Sequence, residues 1–578
     1  PMAMAAIRIR LPLRPTSRTR RPLPDSSLAA GTTQFVKVAG WVLLSTDTVL
    51  TCAHVVGAAD RPVLVDLVGA PGSESVPARV DTAGWVPESG DQLSGLGGDL
   101  ALLRLDRPQP PGRATMLRRL SPTWDRPVRM YGFPEGLDQG IYLRGRLAGG
   151  IGGDGRVQIF PEEAAEVVRP GFSGAGVTDQ QTGQVIGIVV NAYLGQGLRL
   201  SFMIPTETVI RHLPGVRQRT EGDSVVDREL VSTSTEPAEE PAFAAWLAGW
   251  LRGGDDAPAV DAALVEPADR ARNLTLRRAL TQADRELSTT TGRAPVTPGG
   301  NPDTVPPVGS LDLAIDVGRQ TPTELAERIC RRMGVEGAPD RPAVERLATV
   351  ALPLTIVVHG VDRAPEPARL DELLGLLGEQ GSRLLLVFHT APAETRDTAV
   401  AALRLRHRIG RLSRGLDTTA ELKRRFRDRR RQVSTTDLDR ATGALTTISF
   451  LRRSLSRLRR EASAADRTAA RLHAAHDELD DYERLPRSAA SRLEAALTRL
   501  DALVVRRNEL RGRLGAAQAR ARAANGEEDL QLARLYAAAH DLLWRAPCDV
   551  AAAETAVLRY LAAVTDRGDE PPAGVVTR

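Results

Sequence analysis

The chain has 578 residues, with 77 basic against 72 acidic side chains, a net charge of +5 and 42% hydrophobic content. That length holds several domains with sizeable cores, and no run of uncharged apolar residues reaches the ~18 that a membrane-spanning helix needs. Lys37 and Lys423 are the only lysines, so the basic balance follows from arginine-rich composition and is a weak argument for a nucleic-acid partner.

The chain opens with "PMAMAAIRIRLPLRPTSRTRRPLP". This stretch is rich in arginine and proline and lacks the apolar segment and cleavage site of a secretory signal. Residues 1–29 are read as a flexible basic tail, and the cytoplasm is the expected location. Cys52, Cys330 and Cys548 stand far apart in neither a CxxC pair nor a zinc pattern, which fits a reducing compartment and implies no metal.

Residues 30–215 contain short apolar runs, among them "FVKVAGWVLLS", "DLALLRL", "PVRMYGF" and "QVIGIVV", separated by Gly, Pro, Asn and Asp. They predict an all-β domain. Three polar residues interrupt this pattern. "VLTCAHVV" places His54 at the end of an apolar strand, "GGDLALLRLDRP" places Asp99 just before one, and "VVRPGFSGAGVTD" places Ser173 in a glycine-rich turn.

A lone strand-edge histidine is ordinarily a packed core residue. A histidine, an aspartate and a serine together are the parts of an activated nucleophile. A serine hydroxyl needs an imidazole to take its proton, and the imidazole needs a buried carboxylate to fix its tautomer. Gly171 and Gly174 flank Ser173 and permit a tight turn that can aim the Gly171 and Ser173 amides at a developing oxyanion.

"TCAH", "DLALL" and "GFSG" resemble, in order, the Thr-Ala-Ala-His, Asp-Ile-Ala-Leu-Leu and Gly-Asp-Ser-Gly stretches of trypsin-like serine peptidases. The downstream "GQVIGIVVNAYLGQGLRLSFMIP" is similar to their final strands, especially in bacterial intracellular and high-temperature-requirement-type members. The resemblance covers residues 30–215 and implies a chymotrypsin-like double β-barrel with His54, Asp99 and Ser173 catalytic. Phe172 stands where secreted members carry the aspartate that pairs with a freshly cut N-terminus, so that route of activation is closed. Cys52 stands where many relatives have alanine and reads as a small buried residue with an inert thiol.

By the same resemblance the substrate pocket has its base near Val167 and walls near Val190, Asn191, Ala192 and Leu200. None is acidic, so cleavage is expected after a small or medium apolar residue rather than after arginine or lysine.

Residues 216–241 are polar, acidic and rich in Ser, Thr and Pro, and read as a linker. Residues 242–307 begin with Phe243, Trp246, Leu247, Trp250 and Leu251 at helical spacing, a core-facing helix followed by a flexible stretch. Residues 308–394 read as a small α/β domain, with a capping box at Thr321–Glu324 and buried strands in "LPLTIVVHGVD" and "SRLLLVFHT". This pattern resembles the middle of signal-transduction NTPases related to the AAA and NACHT groups. It lacks a GxxxxGK[ST] loop and has His359 where the first Walker B acid is expected, although Asp362 follows. A degenerate NTPase-like domain without nucleotide is the expectation, with His359 and His389 as packed residues.

Residues 395–578 are helical in pattern, with leucine and alanine spaced for long helices or a coiled coil. The run "LRLRHRIGRLSRGLDTTAELKRRFRDRRRQ" is strongly basic with only Phe426 as an aromatic. It fits a solvated or protein-pairing face better than a nucleic-acid reader.

The sequence thus predicts a multidomain cytoplasmic serine endopeptidase with no cofactor. It would be regulated through its helical interaction domain, by a protein partner or by self-association, and its architecture is similar to that of antiphage conflict proteins. A scaffold that binds peptides without cutting them and a nucleic-acid-binding regulator using residues 403–432 are the alternatives.

Overall fold

The computed structural model describes residues 6–10, 40–68, 75–88, 97–137, 139–151, 155–163, 168–193, 200–233, 240–254, 257–288, 302–335, 341–434, 439–524 and 529–568. Strands β1 (Ala6–Arg10), β2 (Val42–Leu43), β3 (Thr48–Thr51), β4 (Val63–Val68), β5 (Val76–Val86) and β6 (Leu100–Leu105) form one sheet in the order β1-β4-β5-β6-β3-β2. A one-turn helix, α1 (Ala53–Val56), follows β3. β3 is buried at every position, so its period-2 alternation vanishes and it reads as a continuous apolar run.

β1 places a strand at residues 6–10, within the stretch 1–29 expected to be a flexible basic tail. Its "AIRIR" alternates apolar and charged residues, and it pairs antiparallel with β4, Ala6 opposite Val68 and Arg10 opposite Leu64. A short edge strand carrying arginines has this pattern.

A second sheet contains β7 (Leu117–Arg118), β8 (Trp124–Gly132), β9 (Ile141–Ile151), β10 (Arg156–Pro161), β11 (Gly176–Asp179), β12 (Val185–Tyr193) and β13 (Leu200–Pro205). β11 pairs with both β8 and β12, which closes β11-β8-β9-β10-β13-β12 into a barrel. Val128, Met130, Val157, Ile159, Phe172 and Val189 lie in its core. Helix α2 (Thr206–His212) and strand β14 (Thr220–Glu221) complete it, β14 pairing with β7.

The stretch 216–241 is therefore not simply a linker, because its described part up to Thr233 is packed. Val225, Val226 and Leu230 are buried, and the Asp227 carboxylate accepts from the Asp316 N–H at 2.8 Å and pairs with Arg328. Three apolar residues set among polar ones suffice to seat it.

A four-stranded parallel sheet follows. Its elements are α3 (Pro241–Arg252), β15 (Val260–Leu264), α4 (Arg270–Ala283), β16 (Leu313–Asp316), α5 (Pro322–Met333), α6 (Ala343–Leu347), β17 (Thr355–His359), α7 (Pro367–Glu379) and β18 (Arg383–Phe388), with strand order β15-β18-β17-β16. The expected α/β domain thus begins earlier than residue 308. β15 lies inside the segment 242–307 and pairs with β18, Val260 opposite Leu384. Its "VDAAL" has no β-branched run, so only the neighbouring strand makes it a strand. The apolar side of α3 packs on α4, as its spacing predicts, and also on the sheet.

His359 and His389 are buried at the ends of β17 and β18 with their rings edge to face. His359 Nδ1 lies 3.2 Å from Asp316 Oδ2, and this hydrogen bond holds the Asp316 carboxyl down at about 2. The Asp362 carboxylate accepts from the backbone N–H groups of His389, Thr390 and Ala391. Its acceptor capacity goes to shaping the chain, which fits a structural role.

The chain divides into two compact units, 1–407 and 408–578, and the division lies within α8 (Ala393–Gln432). The second unit contains β19 (Val433–Ser434), α9 (Asp439–Ala462), α10 (Ala469–Tyr482), α11 (Leu485–Ala524), α12 (Leu530–Trp544), β20 (Cys548–Asp549) and α13 (Val550–Gly568). α11 packs against α9, α12 and α13, and β19 pairs with β20. Arginines of the basic run are engaged within this unit. Arg411 Nη2 lies 2.7 Å from Glu483 and Arg429 Nε 2.5 Å from Asp501. Among the described residues no helix is long and apolar enough to cross a membrane.

Candidate active site

His54 sits in α1, directly beyond β3, with its side chain 30% exposed. Asp99 enters β6 from the Gly98–Asp99 turn, where Gly98 has φ 84° and Asp99 φ 66°. Aspartate is among the few side chains that tolerate this left-handed region, whereas a Cβ at Gly98 would stand 2.3 Å from the Pro87 carbonyl oxygen. The turn buries the Asp99 carboxylate completely.

Both oxygens of that carboxylate are used by one residue. Oδ2 lies 2.7 Å from His54 Nδ1 and Oδ1 accepts the His54 backbone N–H at 2.9 Å. An ionised carboxylate only accepts, so Nδ1 carries the proton and Nε2 is the basic nitrogen of the ring.

The turn that bears Ser173 is bonded to the strand end that bears His54. The Ser173 carbonyl accepts from the Gly40 N–H at 3.0 Å, and the Gly40 carbonyl accepts from Thr51 Oγ1 at 3.1 Å. The Val189 carbonyl accepts from the Gly174 N–H at 2.7 Å and from Cys52 Sγ at 3.3 Å. Gly171 has φ 110° and Gly174 φ 82°. A Cβ on Gly174 would lie 2.3 Å from Thr51 Oγ1, so only glycine lets the turn approach β3 this closely. The Gly171 carbonyl accepts from the Phe133 N–H at 3.0 Å. Among the described residues no acceptor takes the N–H of Gly171 or of Ser173.

Gly40, Thr51 and Phe133 are positioning residues that sequence reasoning missed. Thr51 lies inside the "TCAH" stretch, but a threonine in a buried strand carries no mark of its hydroxyl's partner.

Cys52 Sγ, His54 and Asp99 place ligand-type atoms within 4.8 Å of one another. They do not suit a metal. Burial, with the Asp99 charge adding to it, pushes the Cys52 thiol well up, and both Asp99 oxygens are already committed to His54.

Of the expected pocket residues, Val190 is fully buried in the core that also contains Cys52 and Val55. Asn191 and Ala192 lie on β12 and Leu200 on β13, with Ala192 opposite Ser201 in register. Their side chains, and the whole of Val167, lie outside the described residues.

A family model, the trypsin-like peptidase domain, matches residues 38–188. The chain carries a trypsin-like serine peptidase domain. Among solved structures, the Rv3671c protease in its inactive form, also solved as a mutant from M. tuberculosis H37Rv, is 20% identical over 37% of this chain and 88% of its own, with a TM-score of 0.25. A serine endoprotease from Yersinia pestis is 18% identical over 38% and 64%, with a TM-score of 0.26. The HtrA-type protease AlgW with a tripeptide is 19% identical over 37% and 60%, with a TM-score of 0.26. No curated protein matches the chain.

The peptidase domain is gripped by the α/β domain through buried polar contacts. Arg332 of α5 is 2% exposed and reaches Glu207 at 2.7 Å, Ser121 Oγ at 3.1 Å and the Asp223 carbonyl at 2.8 Å. Arg126 in the peptidase domain bonds Asp179 at 3.0 Å and the Met333 carbonyl at 2.8 Å. Arg285 donates to the Gly155 carbonyl at 3.1 Å, beside the turn between β9 and β10.

Proposed function

We propose that the chain is a serine endopeptidase in which Ser173, His54 and Asp99 act as the catalytic triad. The observation that carries this reading is the pair of hydrogen bonds from His54 to the buried Asp99 carboxylate, 2.7 Å from Nδ1 and 2.9 Å from the backbone N–H. It sets the imidazole in the tautomer whose Nε2 can take a proton.

Ser173 Oγ attacks the scissile carbonyl as His54 Nε2 takes its proton. The Gly171 and Ser173 N–H groups stabilise the tetrahedral oxyanion, and His54 returns the proton to the leaving amine. Water, activated by the same imidazole, then releases the acyl group from Ser173.

The resemblance in the pocket segments supports cleavage of a protein client after a small or medium apolar residue, in the cytoplasm. The α/β domain and the helices of the second unit supply regulation, through a partner or a second copy of the chain. Likeness of architecture supports a role in a conflict or antiphage system.

The test is labelling of the purified chain with a fluorophosphonate probe beside Ser173→Ala. Label on the wild type alone is the expected result. No label on the wild type, with or without neighbouring gene products, would overturn the reading and leave a peptide-binding scaffold.

A further inference from the structure

We propose that Arg156 and Glu88 are positioning residues for Asp99: their ion pair clamps the turn that carries Asp99 to the turn between β9 and β10. This inference rests on the peptidase reading above.

Arg156, the first residue of β10, is 7% exposed. A guanidinium keeps its charge when buried. Among the described residues the only carboxylate within 4.0 Å of it is that of Glu88, 3.9 Å from Nη1 to Oε1. The pair is poorly bonded, because Arg156 Nε and Nη2 and the buried Glu88 Oε1 have no hydrogen-bond partner among the described residues. Charges taken from water and left without good hydrogen bonds cost a fold more than they return. Stability therefore does not account for the pair.

Its position does. Glu88 follows Pro87, whose carbonyl oxygen stands so close to Gly98 that a Cβ there would come within 2.3 Å of it, and Val86 pairs with Leu100 across β5 and β6. Glu88 is thus tied to the Gly98–Asp99 turn, where Asp99 holds φ 66°. A backbone in that region relies on its surroundings to keep it in place. Arg156 follows Gly155, whose carbonyl accepts from Arg285 Nε of the α/β domain at 3.1 Å. A Cβ on Gly155 would meet Val308 Cγ1 at 2.9 Å, so this turn is packed directly on that domain.

One end of the pair is therefore anchored by the α/β domain and the other borders Asp99. The Cys52 thiol, beside both His54 and Asp99, feels the two charges. Burial raises it, the Asp99 charge raises it further and the Arg156 charge opposes both. Without the clamp the Asp99 turn relaxes, the Asp99–His54 hydrogen bond loosens, and proton transfer from Ser173 slows.

The test uses the full chain and the double variant R156M/E88L, which puts apolar side chains in place of both charges. Urea unfolding should find it as stable as the wild type or more so. Labelling by the fluorophosphonate probe should slow by about tenfold or more. The downfield proton NMR signal of the His54 Nδ1–H, identified by its loss in His54→Ala, should shift. Arg156→Lys should keep most of the labelling rate, because the contact is one of charge and does not use the guanidinium fork.

Labelling of R156M/E88L at the wild-type rate overturns the proposal. A loss of stability that matches the loss of labelling also overturns it, since the pair would then be structural. If the probe never labels the wild type, the peptidase reading fails, and the His54 signal still decides this one: a shift in R156M/E88L upholds the clamp on Asp99, and an unmoved signal removes it.

Discussion

Arg332 of the α/β domain and Glu207 of the peptidase domain form an ion pair, 2.7 Å from Nη2 to Oε1, with side chains 2 and 5% exposed. Two charges removed from water are tolerated only when each is well bonded, and the Arg332 guanidinium also reaches Ser121 and the Asp223 carbonyl. Arg332→Met strands Glu207 without its charge partner and is expected to cost about 3–5 kcal/mol. The double variant with Glu207→Leu should recover much of that loss. Urea unfolding of the two single variants and the double variant measures the coupling; additive losses would show that the pair does not join the domains.

Asp99→Asn is expected to keep the fold and lower kcat by about 10⁴. An amide can present its NH₂ group to Nδ1, which favours the tautomer with the proton on Nε2 and leaves the ring unable to accept from Ser173. Peptide hydrolysis with a circular-dichroism control checks this. A loss below about tenfold would mean that the Asp99 contact does not set the tautomer.

Much of the proposed site was legible because the chemistry proposed for it confines it to three residue types in short stretches. His54 and Asp99 meet as their motifs suggest, and Ser173 lies in the expected glycine turn. Phe172 was visible as a departure, but that it fills the barrel's core, fully buried, follows only from the fold. There a Cβ on Gly132 would lie 2.3 Å from its ring. What the sequence hid were contacts between distant segments. β1 looked like an arginine-rich tail, β15 has Val260 as its one β-branched residue, and Val225, Val226 and Leu230 were lost in a polar stretch. Each acquires its conformation from a partner strand or a packed face rather than from its own propensity. Arg285 and Arg332 were indistinguishable from the many surface arginines until their burial was seen.

Thr51→Val removes the hydroxyl that bonds the Gly40 carbonyl at 3.1 Å while keeping the side chain's shape. It leaves a buried acceptor unsatisfied, a cost of about 1–3 kcal/mol. Because Gly40 in turn holds the Ser173 carbonyl, fluorophosphonate labelling should slow as well. Thr51→Ser, which retains the hydroxyl, should restore most of the labelling rate. A serine variant as slow as the valine variant would show that packing of the methyl group, not the bond, positions the turn.

His212 at the end of α2 supplies a pH dependence. Burial, with Arg211 and Arg156 adding repulsion, pushes its imidazole down from 6.5 to about 4, and Arg211 Nη2 donates to its Nε2 at 3.2 Å. The unfolded chain takes up this proton below 6.5 and the folded chain only near 4. Stability from the neutral ring is therefore complete above 6.5 and is lost as pH falls toward 4, by up to about 3 kcal/mol. Asp284 works in the opposite sense, since burial raises its carboxyl to about 6 and favours the folded state as pH falls through that range. His212→Gln keeps an acceptor for Arg211 and removes the titration. Taking the pH from about 7 to about 5 should therefore lower the urea midpoint of the wild type relative to that of H212Q, in which only the opposing Asp284 titration remains. The same change of midpoint with pH in both proteins, or a greater fall in the variant, would show that His212 is not the group whose proton uptake destabilises the fold.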